Sequence, residues 1–198
     1  MSDGESEWLA QAQQGDEQAF ARLVEQYQTP VFNLCYRMLG DPYEAEDAAQ
    51  ETFLRAYRAM RRYDPNRPFA TWLLSIASHY CIDLIRRRRM RLVPIDSLPG
   101  EVIPDPGITP ETALRQSEEQ QQMQELLAEL SPTDRSAVVL YYWYEYSYEE
   151  IAAALSLTVS AVKSRLHRAR RALAEALQKK QSASKVALER KHYESPAF

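Results

Sequence analysis

From residue 17 onward the apolar positions of this chain recur at intervals of three and four. Phe20, Leu23, Val24, Tyr27, Val31, Leu34 and Met38 make one such stripe around Pro30, the mark of an amphipathic helix, and Gly40 ends it. Asp41-Pro42 then restarts the chain, with Asp as N-cap, Pro at the first helical position and Glu44 placed to complete a capping box. Over 42–61, Ala45, Ala48, Ala49, Thr52, Phe53, Ala56, Tyr57 and Met60 share one side, and Asp47, Gln50, Glu51, Leu54, Arg55 and Arg58 the other. A third helix is expected from Phe69 to about Arg89. It buries Phe69, Trp72, Leu73, Ile76, Ala77, Tyr80, Leu84 and Ile85, and exposes Thr71, Ser75, Ser78, His79, Ile82, Arg86 and Arg89.

The second half repeats the rhythm in shorter pieces. A polar helix over about 112–130 carries Met123, Leu126, Leu127 and Leu130 on its apolar side, and Ser131-Pro132-Thr133-Asp134 opens the next one. Ser147-Tyr148-Glu149-Glu150 forms an S-x-x-E capping box before a helix of two turns, Glu149 to Leu155. The last periodic run buries Val162, Leu166, Ala169 and Leu173, and it is followed by a polar tail, 178–198, expected to be disordered. Strand-like alternation is scarce, and none of the five glycines lies beyond Gly107. The pattern predicts an all-α protein.

Between the two halves, Pro94 to Pro110 holds five prolines and two glycines in 17 residues, a composition that cannot continue a helix. We therefore expect an N-terminal helical domain over 1–92, an extended Pro-rich, acidic linker over 93–112 and a smaller helical domain over 113–177. No stretch approaches 18 consecutive apolar residues, which argues against a membrane span. The N-terminus has no basic and apolar signal region, so the cytoplasm is the expected compartment. Cys35 and Cys81 sit among apolar residues and read as buried free thiols.

Net charge is −4, but it is unevenly placed. Residues 1–95 hold 12 basic against 13 acidic side chains, residues 96–135 hold 2 against 9, and residues 136–198 hold 10 against 6. Contact with a polyanion depends on the local surface, so the basic clusters Arg86–Arg91 and Lys163–Arg171 matter more than the total. No acidic residue occurs between Ile151 and Ala174. A short capped helix, a tight turn and then a basic amphipathic helix is the arrangement that lays a helix in the DNA major groove. Ser160, Lys163, Ser164, Arg165, Arg168 and Arg171 are the candidates for base and phosphate contacts.

Arg61, Tyr63, Asp64, Asn66 and Arg67 form an aromatic-containing basic loop before the third helix, whose exposed side adds Thr71, Ser75, His79 and Arg86; Trp72 lies beside them. Rings for stacking beside guanidinium groups suit single-stranded nucleic acid. A core tryptophan and an ordinary basic helix end explain the same residues equally well, and the residues alone leave both readings open. The face of Asp47, Gln50, Glu51, Leu54 and Arg55 fits either a solvated helix side or a partner surface with an apolar centre and charged rim. Three scattered histidines and no glycine-rich phosphate loop argue against an enzyme. No catalytic residue, metal or cofactor is expected.

Three segments in order resemble the extracytoplasmic-function sigma factors of bacterial RNA polymerase. They are Asp47-Ala48-Ala49-Gln50-Glu51-Thr52-Phe53-Leu54-Arg55-Ala56-Tyr57, Pro68-Phe69-Ala70-Thr71-Trp72-Leu73-Leu74-Ser75-Ile76-Ala77, and Ser147-Tyr148-Glu149-Glu150-Ile151-Ala152 with Val162–Arg170. The resemblance covers about residues 15–177. It implies that the face of Asp47, Gln50, Glu51, Leu54 and Arg55 docks on the coiled coil of the polymerase β′ subunit. It implies that the 61–68 loop and the helix from Phe69 recognise and help melt the −10 element, and that the helix from about Ser160 reads the −35 element. Core RNA polymerase (β′ and β), promoter DNA and an anti-sigma factor are the partners implied. His79 stands where many relatives carry Asn, and Glu145 and Ser156 stand where the family often has Gly. The alternatives from the residues are a stand-alone helix-turn-helix regulator and a sigma mimic that binds an anti-sigma factor.

Overall fold

The computed structural model describes residues 3–91 and 110–193. In chain order the helices are α1 (Asp3–Gln13), α2 (Glu17–Leu39), α3 (Pro42–Ala59), α4 (Phe69–Arg91), α5 (Pro110–Ala128), α6 (Pro132–Trp143), α7 (Tyr148–Leu155) and α8 (Val159–Tyr193), with a 3₁₀ turn over Met60–Arg62. No strand occurs among the described residues. The stretch expected to be the linker lies, up to residue 109, outside the described residues.

Local chemistry sets most helix ends. Asp16 caps α2 by accepting from the Ala19 N–H at 2.9 Å, and Gly40 closes that helix with φ +82°. Asp41 caps α3 through the Glu44 N–H at 2.9 Å, with Pro42 in the first turn. Glu44 does not close a capping box as expected; its carboxylate turns across to Arg88 of α4, where an ion pair is available. Ser131 caps α6, and the Ser147–Glu150 capping box opens α7 with both bonds made.

Helices α2, α3 and α4 pack into the N-terminal bundle, with α1 laid along α2. Helices α6, α7 and α8 pack together, and α5 joins α8. The two groups share one continuous core, because α6 and α7 lie on α4 and α6 also reaches α2. Arg135, 7% exposed, fastens that seam: its guanidinium donates to the Met38 carbonyl of α2 at 2.5 Å and to the Ala128 carbonyl of α5 at 3.0 Å. The Tyr144 hydroxyl donates to the Pro30 carbonyl at 2.5 Å, and Arg37 stacks over Trp143. Burial pushes the Tyr144 phenol up and the Arg37 guanidinium down from their ordinary values.

Packing changes several positions from the sequence reading. Ser78 and Ile82 were expected on the exposed side of α4, yet they are 0% and 5% exposed, because α6 and α7 cover that side. Tyr57 was expected inside but is 40% exposed, its ring edge on Phe20 and its hydroxyl directed to Glu17. The expected tail from residue 178 is helical to Tyr193, since residues 178–193 contain neither Gly nor Pro and continue α8. Glu145 and Ser156 take φ +55° and +54°. Both turns therefore keep the left-handed backbone that glycine would favour, at a cost of about 1 kcal/mol each. Cys35 and Cys81 are buried free thiols in adjacent helices, and hydrogen bonding to Cys35, with burial, pushes the Cys81 thiol up.

Candidate nucleic-acid interface

The helix-turn-helix is built from α7 and α8. The α7 capping box fixes the entry, Ser156 ends the helix in the left-handed region, and the Thr158 hydroxyl caps α8 by accepting from the Ala161 N–H at 3.1 Å. Val162, Leu166 and Ala169 are buried beneath α8. Ser160, Lys163, Ser164, Arg168 and Arg171, five of the six candidates read from the sequence, stand exposed on its outer face. Arg165 sits lower on that face: 28% exposed, it pairs at 2.8 Å with Asp134, which also lies 3.8 Å from Arg168. Asp134 thus holds Arg165 against α6 and lends its second contact to Arg168. The Lys163 ammonium lies over the Tyr148 ring, so the two helices meet at the turn through an aromatic as well as through backbone.

The loop before α4 is organised around Tyr63. That ring was read as a stacking surface for bases, but it is 4% exposed and packs against Phe69 at 5.5 Å and Trp72 at 5.1 Å. Its apolar area is better satisfied in the core than in water. The Tyr63 N–H donates to Met60 O, and its hydroxyl donates to Arg67 O at 2.5 Å. Asp64 accepts from both the backbone and the side chain of Asn66. The loop is thereby wound tightly, with Arg61, Asp64, Asn66 and Arg67 pointing outward.

On α4, Thr71, Trp72 and Ser75 are partly exposed and His79 and Arg86 exposed. Ser75 donates to Trp72 O and His79 Nδ1 sits 2.8 Å from Ser75 O, so these polar groups also serve the helix. One of the candidates already touches the C-terminal helices: Arg86 donates to the Thr133 hydroxyl of α6 at 3.3 Å. The structure brings the loop and α4 residues together on one side but half-covers them.

The face of Asp47, Gln50, Leu54 and Arg55 is exposed, with Glu51 partly so. Leu54 is 51% exposed, far more than a core leucine. Arg55 pairs with Glu51 at 2.8 Å and lies over the Tyr80 ring of α4. Beside this face the structure opens a groove of about 430 Å³ between α2 and α3, lined in part by Val24, Phe32, Phe53 and Gln50. Sequence reasoning placed Val24 and Phe53 in the core and missed the groove. The signal was Leu54 next to Phe53, two large apolar side chains on opposite sides of one helix. None of the described helices is long and apolar enough to cross a membrane.

Comparison with known proteins falls on the same two groups of helices. Residues 23–91 match the family Sigma-70 region 2, and residues 120–173 match Sigma-70, region 4. The chain is 39% identical over 177 residues to the ECF RNA polymerase sigma factor SigW of Bacillus subtilis (strain 168), across 85% of this chain and 94% of that one. It is 33% identical over 179 residues to the RNA polymerase sigma-H factor of Pseudomonas aeruginosa, across 86% and 92%. Among solved structures, CnrH in complex with the cytosolic domain of CnrY superposes with a TM-score of 0.66 at 29% identity, over 89% of this chain and 99% of that chain.

Proposed function

The chain belongs to the extracytoplasmic-function sigma factors of bacterial RNA polymerase, and from that premise we propose how its surfaces divide the work. As a sigma factor it binds core RNA polymerase and directs it to promoter DNA for initiation. Asp47, Gln50, Glu51, Leu54 and Arg55 dock on the β′ coiled coil, Leu54 giving the apolar centre and the charges the rim. Arg61, Asp64, Asn66 and Arg67 of the loop, with Thr71, Trp72, Ser75, His79 and Arg86 of α4, receive the single-stranded −10 element. Unstacking a base costs a few kcal/mol, which an aromatic and polar pocket offsets. The exposed face of α8 reads the −35 element in the major groove, early side chains toward base edges and later arginines toward phosphates.

The observation that carries this division is the exposed basic face of α8 over residues 159–174, a stretch without acidic residues, entered through the capped helix α7, on a different group of helices from Leu54. A stand-alone helix-turn-helix regulator would leave the Leu54 face and the basic loop without a use. The chain contributes specificity, while the polymerase performs the synthesis, and it acts in the cytoplasm beside the chromosome. An anti-sigma protein is the expected regulator. Because α6 and α7 half-cover α4, reading the −10 element requires the C-terminal helices to move off that face once polymerase is bound. The test is gel filtration of the purified chain with bacterial core polymerase. Stable co-elution supports the docking assignment, and absence of a complex from folded, inhibitor-free chain contradicts it.

A further inference from the structure

Helix α1 lies ahead of residues 23–91, where the region 2 match falls, and no role has yet been given to it. Its sequence, DGESEWLAQAQ, reads as a polar surface helix. One of its contacts nevertheless reaches the loop before α4 directly, and a second reaches the aromatic residues beside it through α2. Gln13 Nε2 donates to the Tyr63 carbonyl at 2.7 Å, across 50 residues of sequence. Glu5, a carboxylate only 5% exposed, accepts from the Tyr27 hydroxyl at 2.7 Å, and the Tyr27 ring meets Phe69 edge-on at 5.2 Å. At the turn after α1, the Arg61 guanidinium lies 3.9 Å from where a side chain on Gly15 would begin.

These contacts complete a pattern. The Tyr63 N–H, hydroxyl and carbonyl are all bonded, the first two within the loop and the third by α1. Phe69, Trp72 and Tyr63 pack into one aromatic group beside the loop, and Glu5 reaches that group through Tyr27, whose ring meets Phe69. A partly buried side chain such as Gln13 that bonds a loop carbonyl fixes geometry more than it adds stability, because the net gain per bond is modest. A loop that must present an unstacked base to fixed donors is sensitive to shifts of about 1 Å.

We infer that α1 is a positioning element for −10 recognition: Gln13 and Glu5 touch no DNA but set the shape of the 61–68 loop that does. This rests on the reading of that loop and α4 as the −10 surface. Gln13→Ala then lowers discrimination among the four bases at the unstacked position about fivefold, the scale of one hydrogen bond. Glu5→Ala does the same through Phe69, and Glu5→Gln, whose amide oxygen still accepts from Tyr27, restores it. Affinity for core polymerase stays at the wild-type level in all three.

The experiment measures binding of fluorescent single-stranded oligonucleotides, drawn from a random pool by wild-type chain with core polymerase, and varied one base at a time. Arg67→Ala is the control for the reading itself. The expected result is lost discrimination in Gln13→Ala and Glu5→Ala, rescue in Glu5→Gln and lost binding in Arg67→Ala. Full discrimination in both α1 variants with Arg67→Ala impaired overturns the positioning role and keeps the −10 reading. An unaffected Arg67→Ala overturns the reading, and the inference with it. Parallel loss of core affinity in Gln13→Ala reduces α1 to a structural support and also overturns the inference. If Glu5→Ala fails to fold, amide exchange over 60–68 in Gln13→Ala decides: faster exchange confined to the loop is expected, and unchanged exchange overturns the inference.

Discussion

The α8 face and the loop–α4 face both suit nucleic acid, but they are held in place by different means. The α8 face is one stretch of helix, set by the α7 capping box and a buried stripe of Val162, Leu166 and Ala169, and its basic side chains stay largely exposed, with Arg165 drawn down by Asp134 and Arg171 reaching Glu175 one turn on. The loop–α4 face is assembled from α1, α2, the 3₁₀ turn and α4, and the C-terminal helices lie across part of it. A surface carried by one helix is preset by local rules and is available at once. One assembled from distant segments needs every segment in place, and it can be covered by a neighbour that must later leave.

The sharpest way to break this contrast is at the seam. Arg135→Ala strands the Met38 and Ala128 carbonyls and removes a charged donor, so it should lower stability by about 2–3 kcal/mol in urea denaturation. It should also speed amide exchange along α4 while leaving α8 protected; equal change in both helices would erase the distinction. Arg168→Ala attacks the other side. It should weaken −35 duplex binding by 1–3 kcal/mol, roughly 5- to 150-fold, in fluorescence anisotropy and leave core-polymerase binding intact. Asp47→Arg should do the reverse, slowing association with core polymerase several-fold without changing duplex binding by isolated chain.

Smaller effects sharpen the local half of the comparison. Ser156→Gly relieves a left-handed φ of +54° at the turn into α8 and should raise stability by about 0.5–1 kcal/mol, seen as a higher Tm. The smallest is a pH effect on the assembled half. Burial, with the Glu5 carboxylate, pushes the Tyr27 phenol up. The folded chain thus keeps a proton that the unfolded chain loses above its ordinary value near 10. The Tyr27 contribution is therefore complete below about pH 10 and declines as pH rises through the folded value. Tyr27→Phe should flatten that alkaline decline in a series of denaturation curves.

The same division explains what could be read from the residues. The outward face of α8 was legible because helix period and the capping box are local properties, and five of the six candidates stand exposed on it. The N-caps at Asp41 and Ser131 were legible for the same reason. Ser78 and Ile82 were misplaced because their burial depends on helices far away in sequence, and Tyr63 because the loop's winding, which turns its ring onto Phe69 and Trp72, leaves no mark in the helix period. The support from α1 was invisible, since Glu5 and Gln13 look like ordinary polar surface positions until Tyr27 and Tyr63 are folded beside them. The seam through Arg135 was equally silent, because an arginine after a capped start gives no sign that it will enter the core.

The most direct test of the account is the distance between α4 and α7, measured by double electron–electron resonance with spin labels at Asp83→Cys and Ala153→Cys. Both positions are exposed, and the native Cys35 and Cys81 are buried away from the labelling reagent. The account predicts a short, narrow distribution in the free chain and a long one once core polymerase and promoter DNA are added. An unchanged short distance in a transcriptionally active complex would contradict it, because the −10 face would then be read while still covered.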